Sequence, residues 1–431
     1  MPPSRPSKCG VEVQKGGDLI GGPKRRINWS RFFELVSVTV CTLAFLFTAL
    51  SLAIVVLGRQ SAANRDYIEY WASGQQLVHH QDPYDTTALL KLERSVGFAR
   101  ELGPMVMGNA PPALVLTYPL GFVSANTGQV VWIALLLACF LLSVRLVCKT
   151  LGPTATYVQI LGYSFAPALV CIAAGQMAIF VLLGLTLFLC FHQRRPFLAG
   201  AALWFCLLKP QLFLPFAVVM CLWIWRTRQI KVLGGAVAAL ALSSAVVFAL
   251  DPNCWTEYRQ MMKVLRYDKV SIPCISMVLR DGLPRASFVQ YAPAVIGCIW
   301  AIRYFWHHRF KWEWFEHGSM VLLVSLLVAP YTWFIDQCVA LPALLQGLHV
   351  TRSRAMVFLL ALLGAVIEIA PLTGRELLHS KFYLWTAPAW LFWYVVAGRA
   401  ARIDGGSHAS DFKVVLTECR REVNAGSTVD F

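Results

Sequence analysis

Two carboxylic acids one helical turn apart stand in the stretch "RDYIEYWASGQQLVHHQDPYD", residues 65 to 85, of a chain that is otherwise sparing with charge. Residues three and four apart share a helix face, so Asp66, Glu69, Tyr70 and Ser73 can line one side while Tyr67, Trp71 and Gly74 line another. A carboxylate held beside a hydroxyl can take its proton, which contributes about 10²- to 10⁴-fold to a rate. An amphipathic helix lying along a membrane surface, with its acids solvated and its aromatics in the interfacial belt, has the same composition. Both readings place a helix near Asn64 to Val78.

Other polar residues interrupt apolar runs. Gln176 follows Gly175 between two such runs, Lys209 precedes Pro210 between two more, and Trp333 and Asp336 lie in "APYTWFIDQ", Ala329 to Gln337. Ionisable groups within a membrane domain are costly and tend to mark a substrate path. A lysine in the middle of "WFCLLKPQLFLPF" therefore asks for a partner, although its long stem also allows it to snorkel to the headgroups.

The elements that must position these residues follow from composition. Hydrophobic residues make up 57% of the 431 positions and charged ones 14%, and the mean hydropathy is +0.58; this is a polytopic, all-α membrane protein. Spans are expected near 33–57, 127–148, 155–171, 176–192, 197–208, 210–225, 231–250, 286–306, 316–330, 333–348, 355–371 and 382–398, about twelve in number. With the basic tail 1–32 in the cytoplasm, the clusters Arg145/Lys149, Arg194/Arg195, Arg226/Arg228/Lys231, Arg309/Lys311, Arg352/Arg354 and Arg399/Arg402 all fall inside, as the positive-inside rule requires. The net charge of +15 is thereby explained without a nucleic-acid partner. Both termini are expected inside, and the segment 399–431 reads as a cytoplasmic disordered tail.

This topology requires that "PPALVLTYPLGFV", Pro111 to Val123, does not cross; roughly 13 residues between prolines suit a dip better than a span. It leaves two long outer loops, 58–110 and 251–285, the first with a second helix near Thr86 to Arg100. Most of the thirteen cysteines lie in apolar runs as small hydrophobes. Only Cys254 and Cys274 share an outer loop, where a disulfide is an open alternative to two free thiols.

The successive stretches "DYIEYWASGQQLVHHQDPYD", "NAPPALVLTYPLGF", "GQMAIFVLLGLTLF", "LAGAALWFCLLKPQLFL" and "APYTWFIDQCVALPALL" resemble the signatures of glycosyltransferase family 87, the mannosyl- and arabinofuranosyltransferase-like membrane proteins of the GT-C superfamily. The resemblance covers residues 33 to 398. It implies a GT-C-like helical bundle, an extracytoplasmic active site beneath the first outer loop, a sugar donor carried on polyprenyl phosphate, and an acid early in that loop as the base, here Asp66. It also implies a multi-pass protein of the bacterial inner membrane and a lipid or glycan acceptor. Some members carry histidines after the late-motif tryptophan, where this chain has Phe334, Ile335 and Asp336.

The residues suit that chemistry independently. A phosphate ester leaves as a stable anion without a general acid, so one carboxylate suffices, unlike the pair used in glycoside hydrolysis. The developing anion needs positive charge, for which Lys209 is the buried candidate and Arg65, Arg259, Lys263, Arg266 and Lys269 are alternatives. Single displacement would invert the anomeric centre. The expected site is thus Asp66 as base, with Lys209, Gln176, Asp336, Trp333, Glu69 and Arg65 binding donor or substrate. No cofactor is expected, and His79-His80, whose side chains point apart on a helix, make a poor metal site. Neither a P-loop nor a dinucleotide fingerprint is present. The alternative function is a lipid or solute transporter or flippase, which would show paired inverted repeats; the chain has no such symmetry.

Overall fold

The computed structural model describes residues 66–99, 103–264, 272, 274–351, 353–369 and 381–404, with isolated positions between 32 and 46. Among these residues every regular element is helical. The segment expected as the first outer loop supplies α1 (Tyr67–Val78) and α2 (Thr86–Ser95). The body follows as α3 (Ala125–Leu151), α4 (Thr156–Tyr163), α5 (Ala166–Ala174), α6 (Ala178–Phe191), α7 (Pro196–Ala202), α8 (Leu214–Thr227) and α9 (Ile230–Leu250). After α10 (Cys254–Val264) and α11 (Ile275–Gly282) come α12 (Ala292–His308), α13 (Ser319–Val328), α14 (Leu341–Val350), α15 (Arg354–Ile369) and α16 (Thr386–Asp404).

Five helical stretches among the described residues are long and apolar enough to cross a bilayer: Ala125–Leu151, Thr156–Ala174, Pro210–Thr227, Ile230–Leu250 and Ala286–His308. Shorter apolar helices run over Ala178–Phe191, Pro196–Leu208, Trp314–Val328, Phe334–Val350 and Arg354–Ile367. The apolar runs expected within the described residues are thus helical, some of them in two pieces, while most of the expected span 33–57 and most of the tail 399–431 lie outside them. Several runs are broken where the sequence breaks them. Phe165 is extended between α4 and α5, with Pro167 early in α5, and Pro210 pushes Lys209 out of the α region to φ −137°, ψ 65°, the usual effect of proline on the residue before it.

Pro111 to Val123 forms a 3₁₀ turn (Pro111–Ala113), one α turn (Leu114–Thr117) and a second 3₁₀ piece (Tyr118–Phe122), none of crossing length. This segment covers α1. Gly74 and Gly121 bring the two backbones together: a Cβ on Gly74 would fall on the Thr117 carbonyl, and one on Gly121 on the Gly74 carbonyl. The Trp71 indole N–H donates to the Val123 carbonyl at 2.9 Å and the Gln75 amide to the Gly121 carbonyl at 2.8 Å.

That cover corrects the expectation of a surface-lying α1. Tyr67, Ile68, Tyr70, Trp71, Ala72, Ser73, Gly74, Gln76 and Leu77 are buried, on every side of the helix. The polar Ser73 and Gln76 are buried along with the apolar residues, and Asp66 and Glu69 are half-buried rather than solvated. The second outer-loop expectation is also resolved: Cys254 and Cys274 are both buried free thiols, Cys254 in the main core and Cys274 in a small separate cluster with Ile272 and Met277.

Candidate active site

Asp66 stands at the N-terminus of α1, where the chain enters the enclosed helix. Tyr67 anchors that entry. Its ring lies 6.5 Å from the wholly buried Trp132 of α3, and Tyr70 lies 5.4 Å from the same indole. Trp132 in turn donates its N–H to the Gly175 carbonyl at 2.7 Å. Gly175 ends α5 in the left-handed conformation at φ +78°, where a side chain would both strain the backbone and meet the Tyr67 Cβ at 2.8 Å. The Gln176 N–H folds back to the Cys171 carbonyl at 3.1 Å, closing a helix end of the kind glycine favours. These contacts set Gln176 against the start of α1.

From there one hydrogen-bonded chain crosses the bundle. The Gln176 Nε2 donates to Asp66 Oδ2 at 2.5 Å, and its Oε1 accepts both from the Tyr70 hydroxyl and from Lys209 Nζ, each at 3.1 Å. Lys209 Nζ also meets Asp336 Oδ1 at 2.6 Å. The second Asp336 oxygen accepts the Trp333 backbone N–H at 3.1 Å, capping the 3₁₀ helix Phe334–Ala340. Lys209, which can only donate, fixes which way the Gln176 amide points, since a flipped amide would set its N–H₂ against the ammonium.

Burial grades along this chain. Asp336 has no solvent exposure and Lys209 only 9%, whereas Gln176, Asp66 and Glu69 are half-buried. The Asp66 end of the chain is thus the more exposed one, and the Asp336 end is closed to solvent. Lys209 does not snorkel; its partner is inside the protein, and the broken helix on either side of it leaves the Leu208 carbonyl to the Asn109 amide at 2.6 Å. Burial first, then repulsion by Asp66, push the Glu69 carboxyl well above the usual carboxylate range, with the Tyr70 hydroxyl bond and Lys209 opposing the shift.

Five of the expected residues, Asp66, Gln176, Lys209, Asp336 and Trp333, thus meet in one network, Trp333 through its backbone; its indole N–H instead donates to the Tyr331 hydroxyl at 3.0 Å. Glu69 borders the network, and Arg65 lies outside the described residues, as do Arg266 and Lys269. Tyr70, Asn109 and Trp132 were not among the expected site residues. Tyr70 shares the Asp66 face by spacing, and Asn109 sits two residues before the Pro111-Pro112 pair, a polar group near a forced break. Nothing local in the sequence marks Trp132. Among the described residues no group of three or more His, Cys, Asp or Glu is placed to hold a metal ion.

The model of glycosyltransferase family 87 matches residues 109–330, a stretch that contains Asn109, Trp132, Gln176 and Lys209 and ends just before Trp333 and Asp336. No curated protein and no solved structure gives a match to the chain. With just over half of its length under that family model, the all-helical chain belongs to glycosyltransferase family 87.

Proposed function

We propose that the protein transfers a sugar, a hexose such as mannose or an arabinofuranose, from a polyprenyl-phosphate carrier to a hydroxyl of a lipid or polysaccharide acceptor on the extracytoplasmic side of the bacterial inner membrane. The observation that carries this reading is the bond from Gln176 to Asp66 at the accessible end of the buried network. The acceptor oxygen attacks the anomeric carbon as its proton passes to the Asp66 carboxylate. The bond from the anomeric carbon to the phosphate oxygen breaks, the phosphate keeps the electron pair, and the configuration inverts. Asp66 is the base.

Lys209 uses two of its three ammonium N–H groups in hydrogen bonds to Asp336 and Gln176. In this reading its third proton and its charge serve the departing phosphate, assisted by Arg259 and Lys263 of the second outer loop. The family membership supports glycosyl transfer; the carrier and the sugar are what the resemblance to that family implies, and the sidedness is inferred from the charge pattern. About twelve crossings with both termini inside would set Asp66, Gln176, Lys209 and Asp336 at one face of the membrane.

Purified protein in lipid nanodiscs, incubated with radiolabelled polyprenyl-phosphate mannose or arabinofuranose and a lipid extract, should yield a labelled glycolipid and free polyprenyl phosphate. Label that crosses the bilayer with no new glycosidic bond would refute transfer and favour a flippase.

A further inference from the structure

Beyond the site above, the lipid-facing side of α12 carries a second constellation. Ile296, Ile299, Trp300, Arg303 and His307 follow one another at helical spacing along one stripe and line a groove of about 550 Å³, with Tyr304 on its wall. Ile296 and Ile299 are 66% and 55% exposed, as suits a surface that meets acyl chains. Arg303 and His307 are exposed on the same stripe, one and two turns on, and no acid lines the groove.

The stripe from Ile296 to His307 is about 16 Å long at the helical rise, apolar at one end and cationic at the other. Trp300 stands between the two halves, its ring stacked on Tyr304 at 4.9 Å; an indole at that level suits the headgroup boundary. The wall behind is held rigid, because the Tyr304 hydroxyl bonds His317 Nδ1 at 3.1 Å and the His308 ring packs on His317 at 4.5 Å. More positive charge follows at the same helix end. Arg226 and Arg309 both lie 4.6 Å from the Phe310 ring, and Lys311 precedes the first acids, Glu313 and Glu316.

An arginine one turn inside an apolar lipid-facing surface is costly unless its charge is met, and basic pockets at the membrane boundary recognise anionic headgroups. We propose that this groove binds one anionic glycerophospholipid, its phosphate on Arg303 and His307 and an acyl chain along Ile299 and Ile296. With the topology proposed above the lipid belongs to the cytoplasmic leaflet, on the opposite side from the transfer site.

The test is native mass spectrometry of the full chain released from nanodiscs of equal phosphatidylglycerol and phosphatidylcholine. One phosphatidylglycerol should be retained preferentially. Arg303→Gln/His307→Asn should lower its occupancy about tenfold, while Arg309→Gln/Lys311→Gln, which lowers the general surface charge by at least as much, should leave it within about twofold. Equal retention of the two lipids, or equal losses in the two double variants, would overturn the proposal. Should Arg303→Gln/His307→Asn not fold, His307→Asn alone is read the same way, with an expected loss of about threefold. Sugar transfer is not the readout, so failure here and failure of the catalytic reading are distinguishable.

Discussion

Lys209 and Asp336, 127 positions apart in sequence, meet at 2.6 Å with Asp336 wholly shielded from solvent. Removing one partner of a buried pair leaves the other charge without compensation and costs about 3–5 kcal/mol, whereas replacing both with uncharged groups is often close to neutral. Lys209→Met should therefore lower the thermal unfolding midpoint in detergent markedly. Lys209→Met/Asp336→Asn should recover most of that loss, and both proteins should lose sugar transfer. A double variant as unstable as the single one would mean that the pair is not the source of the cost.

Asp66 and Glu69 make different predictions although both are half-buried on α1. Burial and the neighbouring Asp66 favour the neutral form of Glu69, which an amide imitates. Glu69→Gln should thus keep transfer within about tenfold, while Asp66→Asn should lower the rate by about 10²- to 10⁴-fold, the contribution of positioned proton removal. The reverse order of losses, measured on protein with unchanged expression and monodispersity, would move the base to Glu69.

Gln176 acts on the reaction through Asp66, by holding its carboxylate with an amide whose other end is bonded to Tyr70 and Lys209. Gln176→Leu removes all three of these hydrogen bonds; the one that positions the base, to the Asp66 carboxylate, is worth about 1.5–3 kcal/mol, and its loss should lower kcat about 10- to 100-fold. Gln176→Glu keeps an acceptor for Lys209 and Tyr70 but sets an oxygen against Asp66 Oδ2, so at neutral pH it should be no better than Gln176→Leu. Full activity in Gln176→Glu would show that the amide N–H does not position the base.

The apolar runs after residue 125 are legible in sequence because each is a local pattern, and so is Lys209, whose place before Pro210 announces a broken helix. The burial of α1 was not legible, since what encloses it is the segment Pro111–Phe122, and the contact depends on two glycines, Gly74 and Gly121, meeting across 46 intervening residues. The partner of Lys209 is hidden for the same reason: Asp336 is polar and near a turn, but only the folded bundle brings it to the ammonium. Trp132 looks like one more aromatic in an apolar span until its N–H is seen to hold the carbonyl of Gly175.

Gly175 supplies a test of how closely the two halves of the site must fit. At φ +78° an alanine is strained by about 1–2 kcal/mol, and its Cβ would press on the Tyr67 Cβ at 2.8 Å, next to the base. Gly175→Ala should lower both the unfolding midpoint and kcat. Gly103→Ala, where a Cβ meets nothing within 4 Å, should change neither. Equal behaviour of the two variants would show that α1 can shift away from Gln176 without consequence.

The contact of α10 with the segment around Asp82 should weaken with rising pH. Glu257 of α10 faces Asp82 and Asp251; burial, then its hydrogen bond to Asp251 and the charge of Asp82, raise its carboxyl from about 4.5 to about 8. Asp82 is itself raised, by burial first, with Asp85 and Asp251 adding repulsion. A group whose folded pKa is raised stabilises the fold in full below its unfolded value, and that contribution is lost as pH rises through the folded one. The contact of α10 with the first loop, where the Tyr84 and Tyr258 rings lie 5.4 Å apart, should therefore weaken progressively as pH rises from about 4.5 to about 8. Hydrogen exchange over residues 254–264, corrected for the intrinsic rate, should lose protection across that range in the wild type and stay flat in Glu257→Gln. An identical loss in the variant would assign the opening to another group.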